Sequence, residues 1–288
     1  MNDKVLILSD TKAGHLNQSL AFCKLKNLSY DIISLESVSK FKKVLSYVLD
    51  FLHIYINLFG LKAENKKYKA IISTGSNTYY MNKYLAKMFK IKSIAIMLPK
   101  GFRYSDFDYI IAQEHDFPPK EANIITMPLN LSFSTPLGYV KKTQQKAVGI
   151  IIGGNNAIFS MDVDNIKLAL DEINEKFPEH LKYITTSRRT PKEVEELIEK
   201  YHFDYEVIFS KNISINPIPD FIEVCDELYI TIDSTSMLSE AKANSNANIH
   251  IIKLESKKEH TKYHKLASII ENIKGQFDYM TYLNKVKI

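Results

Sequence analysis

Only two cysteines, Cys23 and Cys225, occur in 288 residues, far apart and in apolar helical contexts. That usage leaves neither a disulfide framework nor a cysteine-based zinc spacing, and it suits a reducing cytoplasm. Phosphate and nucleophile motifs are missing too. No G-x-G-x-x-G follows the first apolar run, and neither G-x-x-x-x-G-K-[ST] nor G-x-S-x-G occurs anywhere. These absences argue against a standard dinucleotide dehydrogenase, a Walker-type NTPase and an α/β-hydrolase. His260 and His264 are spaced i, i+4, but without the Glu of H-E-x-x-H they read as an exposed helix face rather than a metal site. The first residues, Lys4 to Leu8, already read as a strand, and no charged-then-apolar leader precedes them. Export by that route is not expected.

What is present describes an ordinary globular protein of about two domains, with 45% hydrophobic and 25% charged residues. Strand-like runs at Val5–Leu8, Asp31–Ser34, Ala70–Ser73, Ser93–Met97, Tyr109–Ala112 and Ile124–Met127 alternate with helical stretches such as Leu16–Lys26 and Tyr79–Phe89. They are short, β-branched and nearly continuous, as parallel strands buried on both faces are. A polar stretch, Ser132 to Gln145, reads as a linker. Alternation resumes at Val148–Ile152, Lys182–Ile184, Glu206–Phe209, Leu228–Ile232 and Ile249–Leu254. The expected fold class is α/β, with two Rossmann-like, doubly wound domains at 1–135 and 146–270 and a tail at 271–288.

In such folds ligands sit beyond the carboxyl ends of the strands, so strand-to-helix loops are the candidate sites. After Ile232 the chain writes Asp233-Ser234-Thr235-Ser236-Met237, with Glu240 one turn on. Hydroxyls at a helix start suit a phosphate, because the first backbone N–H groups lack helical partners and carry partial positive charge. Ser236 and Glu240 stack on one face. A second junction, Thr185-Thr186-Ser187-Arg188-Arg189-Thr190-Pro191, supplies two guanidinium groups shaped to fork onto phosphate oxygens. Thr190 as N-cap, Pro191 at the first helical position and Glu193 closing a capping box predict the helix start there. Gly153-Gly154-Asn155-Asn156 offers a third loop. In the first half the loops are Asp10 to His15, Gly75 to Thr78 (turn chemistry alone explains this one), Pro99 to Arg103, and Glu114-His115-Asp116. The last reads as an acid/base loop in preference to a metal site.

Charge divides unevenly along the chain. Met1 to Val140 holds 18 Lys and Arg against 11 Asp and Glu, a balance of +7, and the remainder balances at −2. Within the basic half, Val44 to Leu61 is apolar almost throughout and is flanked by Lys40, Lys42, Lys43, Lys62, Lys66 and Lys67. Asp50, His53 and Asn57 exclude a transmembrane span. Two readings remain: a helix packed on the sheet, or an interfacial helix drawn to anionic lipid.

Asp10 to Gln18, Arg103 to Asp116, Gly153-Gly154-Asn155, Thr185 to Pro191, and Asp233 to Met237 with Glu240-Ala241 occur in one order over residues 4–255. Together they resemble the mitochondrial-fission Elm-type family and its bacterial members, from which this chain departs in having Thr11 where glycine is common. The resemblance implies a GT-B-like architecture of two domains facing across a cleft, with a nucleotide sugar bound in the second and an acceptor in the first. It points to a metal-independent glycosyltransferase of bacterial cell-envelope biosynthesis. Arg188, Arg189, Ser234, Thr235 and Ser236 would hold the diphosphate and Glu240 the ribose, while Gly153, Gly154 and Asn155 let backbone approach the donor. His15 is the expected general base, with Asp10 or Glu114 next. The expected partners are a nucleotide-sugar donor, a glycolipid acceptor and the anionic inner-membrane surface, with no nucleic acid, metal or other cofactor. A non-hydrolysing sugar-nucleotide epimerase is the alternative, with Glu114, Asp116 and Asp10 supplying its carboxylates. A noncatalytic membrane-associated scaffold is a further one, against which both anion junctions speak.

Overall fold

The computed structural model describes residues 4–35, 38–64 and 66–288. The chain forms two compact units, Met1–Phe133 with Asp278–Ile288, and Ser134–Phe277. Unit 1 runs β1 (Lys4–Ser9), α1 (Ala13–Leu25), β2 (Ser29–Ser34), α2 (Lys40–Phe51), β3 (Ala70–Thr74), α3 (Tyr79–Phe89), β4 (Lys92–Ile96), β5 (Tyr109–Gln113) and β6 (Ile124–Met127). All its strand pairs are parallel, in the order β2-β1-β3-β4-β5-β6. Continuous apolar runs form these strands because both sheet faces are covered: Val5 to Leu8, Ala70 to Ile72 and Ile94 to Ile96 are buried throughout. Leu6, Leu8, Ile71, Ala95 and Ile110 pack with Tyr79, Tyr80 and Leu85 of α3 on one face. On the other, the Ser19 hydroxyl of α1 meets Thr74 of β3 at 2.8 Å.

Unit 2 runs β7 (Ala147–Ile151), β8 (Phe159–Ser160), α4 (Val163–Lys176), β9 (Leu181–Thr185), α5 (Lys192–Ile198), β10 (Tyr205–Val207), α6 (Ile218–Val224), β11 (Glu227–Thr231), α7 (Thr235–Asn244), β12 (Asn248–Ile252), β13 (Glu255–Ser256) and α8 (Lys262–Asn272). Its main sheet is parallel, in the order β10-β9-β7-β11-β12, and β8 pairs antiparallel with β13. Every strand-like run named from the sequence is a strand, within two residues at most ends.

Three local expectations are corrected. The stretch read as a linker is fastened to unit 2, where the buried Asp220 carboxylate accepts from the backbone N–H groups of Leu137 and Gly138, both at 2.8 Å, and Tyr139 at 3.1 Å. Three converging amides suit a carboxylate, and so fix this loop. The segment read as a tail returns to unit 1 through α9 (Met280–Leu283): the Tyr279 hydroxyl donates to Asn130 O at 2.5 Å, and Lys26 Nζ donates to the carbonyls of Leu283 and Val286. Pro191, and not Thr190, is the N-cap of α5, and no capping side-chain bond forms there. Thr190 instead turns its hydroxyl onto the carbonyl of Gly153 and accepts from Ser187 N at 2.9 Å, so its capping group works inside the loop.

Candidate functional site

In a doubly wound sheet the crevice lies where the strand order reverses. In unit 2 that point falls between β7 and β11, and the loops after β7, β9 and β11 all meet there. Thr231, at the end of β11, accepts from Gly153 N at 2.7 Å and donates to Asp233 Oδ1 at 2.6 Å. Asp233 Oδ2 accepts from Gly154 N at 3.1 Å and from Arg189 Nη2 at 2.6 Å, while its side chain is wholly buried. Asn155 N donates to Arg189 O at 3.1 Å, and Ser187 Oγ donates to Gly153 O at 2.7 Å.

This packing explains the paired glycines. A Cβ on Gly153 would stand 2.1 Å from Asp233 Oδ1, and one on Gly154 would stand 2.1 Å from the Arg189 backbone. Both positions are filled by neighbouring loops, so their immediate role is to let those loops close on one another. Asn155 serves the same end, its Oδ1 accepting from Met161 N at 2.7 Å.

The two arginines separate. Arg189 is paired with Asp233, whereas Arg188 is exposed and, among the described residues, makes no ion pair or hydrogen bond. Of the two arginines, Arg188 is therefore the one whose charge no described carboxylate neutralises. Ser234 caps α7, accepting from Met237 N at 3.3 Å, with Thr235 and Ser236 in the first turn and Ser236 exposed. Glu240 stands one turn after Ser236, and burial pushes its carboxyl up to about 7. Two residues here had no role assigned from the sequence. Asp233 organises all three loops, and Tyr263 of α8 lies close enough to feel the charges of Arg189 and Asp233 beyond the burial that raises its phenol. Asp233 was legible as the residue after a strand; Tyr263 carried no sequence signal.

In unit 1 the order reverses between β1 and β3, and there the structure joins two of the three base candidates. His15 Nδ1 lies 3.0 Å from each carboxylate oxygen of Asp10, whose side chain is buried while His15 is a quarter exposed. They form an Asp–His dyad in which the carboxylate sets the tautomer and orients the ring. Gly75, in the loop assigned to turn chemistry, frames that dyad: its φ is +94° and a Cβ there would stand 2.3 Å from His15 Nδ1. Thr11 has φ +65°, the left-handed conformation that glycine adopts most readily. Glu114 is exposed on a turn after β5, separated from β1 by β3 and β4, so roughly 14 Å of sheet lies between their loops. Its neighbour Asp116 pairs with Lys100 at 3.1 Å. His264, half of the i, i+4 histidine pair, is engaged in a capping box with Thr261.

Two doubly wound parallel sheets, each with a polar cluster at its switch point, define the GT-B-like class of two-unit α/β proteins. The chain belongs to the mitochondrial fission ELM1 family, whose model matches residues 13–274. No curated protein sequence matches it significantly. Among solved structures it is similar to one described as a UDP-N-acetylglucosamine 2-epimerase from Listeria monocytogenes, at 9% identity over 93% of this chain and 82% of that one, with a TM-score of 0.52. The UDP co-structure of Staphylococcus aureus MnaA is similar at 10% identity over 97% and 89%, with a TM-score of 0.50. MurG from Acinetobacter baumannii follows at 10% identity over 93% and 83%, with a TM-score of 0.45.

Proposed function

We propose that the protein is a nucleotide-sugar-dependent glycosyltransferase whose donor diphosphate binds at the start of α7. The observation that carries this reading is that the loop holding Arg188 and the loop that starts α7 are joined at the switch point of unit 2 through Arg189 and Asp233, with Glu240 one turn along α7. The α7 dipole and its first-turn hydroxyls favour the diphosphate, Arg188 supplies a guanidinium with no partner among the described residues, and Glu240 sits one turn along to accept from a ribose hydroxyl. The similar MnaA structure was solved with UDP, which supports a uridine nucleotide. Fixed N–H groups and guanidinium would offset charge on the leaving diphosphate, so transfer would proceed without a divalent ion. On unit 1, His15 Nε2 would take the proton from an acceptor hydroxyl while Asp10 holds Nδ1. A glycolipid or lipid-linked sugar in cell-envelope synthesis is the acceptor this reading names.

The likeness to the structure described as an epimerase favours a second reading. Inverting a sugar carbon requires acid and base groups around the ring, and here Asp10 is committed to His15, Asp116 to Lys100, and Glu114 lies on the turn after β5. Incubation with UDP-N-acetylglucosamine in deuterium oxide separates the two. Epimerisation cleaves a C–H bond and deposits deuterium in the sugar, whereas transfer releases UDP only when a lipid-linked acceptor is added. Deuterium incorporation without acceptor would replace the transferase reading.

A further inference from the structure

Helix α2 faces the wrong way for a helix packed on a sheet. Its inner side is polar: Lys43 Nζ donates to Ser76 Oγ at 2.8 Å, Ser46 is buried, and the buried Asp50 accepts from Lys83 Nζ at 2.6 Å and from Arg103 N at 2.8 Å. Tyr47 and Leu49 supply inner apolar contacts, the Tyr47 ring 4.5 Å from that of Phe102. Its outer side is apolar. Phe41 is 76% exposed, Val44 62%, Val48 48% and Phe51 75%, and Leu52 continues the line at 54%. The spacing 41, 44, 48, 51 is one helical stripe, so the hydrophobic face that normally seeks the core lies on the surface. Lys40 and Lys42, both exposed, precede and follow Phe41 and so flank the stripe at roughly 100° on either side.

Charge decides the occupant. The half of the chain that holds α2 balances at +7, so a two-fold contact of this face with its copy would bring like charges together. An anionic bilayer attracts the lysines and receives the apolar stripe, with lysine stems lying along the apolar surface and their heads at the phosphates. Among the described residues no helix is long and apolar enough to cross a membrane. We propose that α2 is a membrane-docking helix, lying in the headgroup plane of an anionic bilayer with Phe41, Val44, Val48, Phe51 and Leu52 among the acyl chains and Lys40 and Lys42 at the lipid phosphates. This docking requires no nucleotide and does not depend on the reaction assigned above.

The test uses the 288-residue chain with vesicles of phosphatidylcholine alone or mixed with phosphatidylglycerol. Wild type should cosediment with the mixed vesicles at low salt and release as salt rises. Phe41→Ser with Phe51→Ser should weaken partitioning at least about tenfold, and Lys40→Gln with Lys42→Gln should weaken it about fivefold per lysine. The chain contains no tryptophan, so Val48→Trp installs a single reporter on the stripe. Its emission should shift to the blue on adding mixed vesicles and be quenched by brominated acyl chains, a readout that holds even if the serine variant folds poorly. Wild type remaining in the supernatant, an unmoved indole spectrum in the Val48→Trp protein, or lipid-free dimerisation that the serine pair abolishes would each overturn the assignment.

Discussion

The separation of Arg188 from Arg189 makes the sharpest prediction, because adjacent residues of one type are expected to fail in different ways. Arg189→Ala leaves the Asp233 carboxylate, wholly buried, with Thr231 Oγ1 and Gly154 N as donors but no countercharge. Breaking a buried ion pair from one side costs about 3–5 kcal/mol, and because Arg189 is a third exposed, solvent screening reduces this to roughly 2 kcal/mol. For a domain of this size that corresponds to a melting-temperature fall of about 4–8 °C. Asp233→Ala should cost about 3 kcal/mol, since it strands the buried Gly154 N–H as well as the guanidinium. In the double variant the two losses overlap, and the cycle should return a coupling of about 1–3 kcal/mol. Arg188→Ala touches none of this. Its melting temperature should stay within a degree or so of wild type, while affinity for a nucleoside diphosphate falls about tenfold to a hundredfold, the worth of a charge-assisted bond. Thermal unfolding by circular dichroism and titration calorimetry read the two effects separately. Additive losses in the cycle, or an Arg188→Ala protein that melts early and binds normally, would refute the division of roles.

Three further outcomes follow from the same geometry. The Glu240 carboxyl is raised to about 7 in the folded protein against an ordinary 4.5, so its protonated form stabilises the fold fully below pH 4.5. That contribution is lost as pH rises through 7, and the loss is of the order of 3 kcal/mol; Glu240→Gln should flatten this part of the stability profile in denaturant titrations from pH 4 to 8. His15→Ala should lower turnover by about 100- to 10,000-fold with donor affinity nearly unchanged, and Asp10→Asn should lower it with the imidazole still present; transfer surviving His15→Ala would hand the base role to another group. Transfer should also persist in excess chelator, and activity abolished by chelation and restored by a divalent ion would contradict the metal-independent mechanism.

The fold was legible because its central strands, β1, β3, β4, β5 and β7, are buried on both faces, which writes each as a nearly unbroken apolar run, whereas the edge strand β2 alternates buried and exposed residues. The loops that matter were legible for a related reason: switch-point loops carry Gly, Ser, Thr and Asp directly after those runs. What the sequence could not show is which loop residues neutralise one another. Arg189 and Asp233 are 44 positions apart, and their pairing arises only when β9 and β11 are set on either side of β7. The Thr190 hydroxyl could serve a helix end or a neighbouring loop, and the carbonyl of Gly153 won. The apolar stretch from Val44 read as one block, although only residues up to Phe51 are helical and their phase turns the block outward. The return of α9 to unit 1 rests largely on backbone carbonyls as acceptors, which leave no mark in side-chain identity.

Calorimetric titration of the wild-type, Arg188→Ala and Glu240→Ala proteins with UDP and UDP-N-acetylglucosamine tests most directly whether a nucleoside diphosphate binds at the start of α7. Wild type should show saturable one-site binding that weakens at least about tenfold in each variant, with unchanged melting temperature for Arg188→Ala. Absence of binding by wild type, or equal affinity in all three proteins, would contradict that placement.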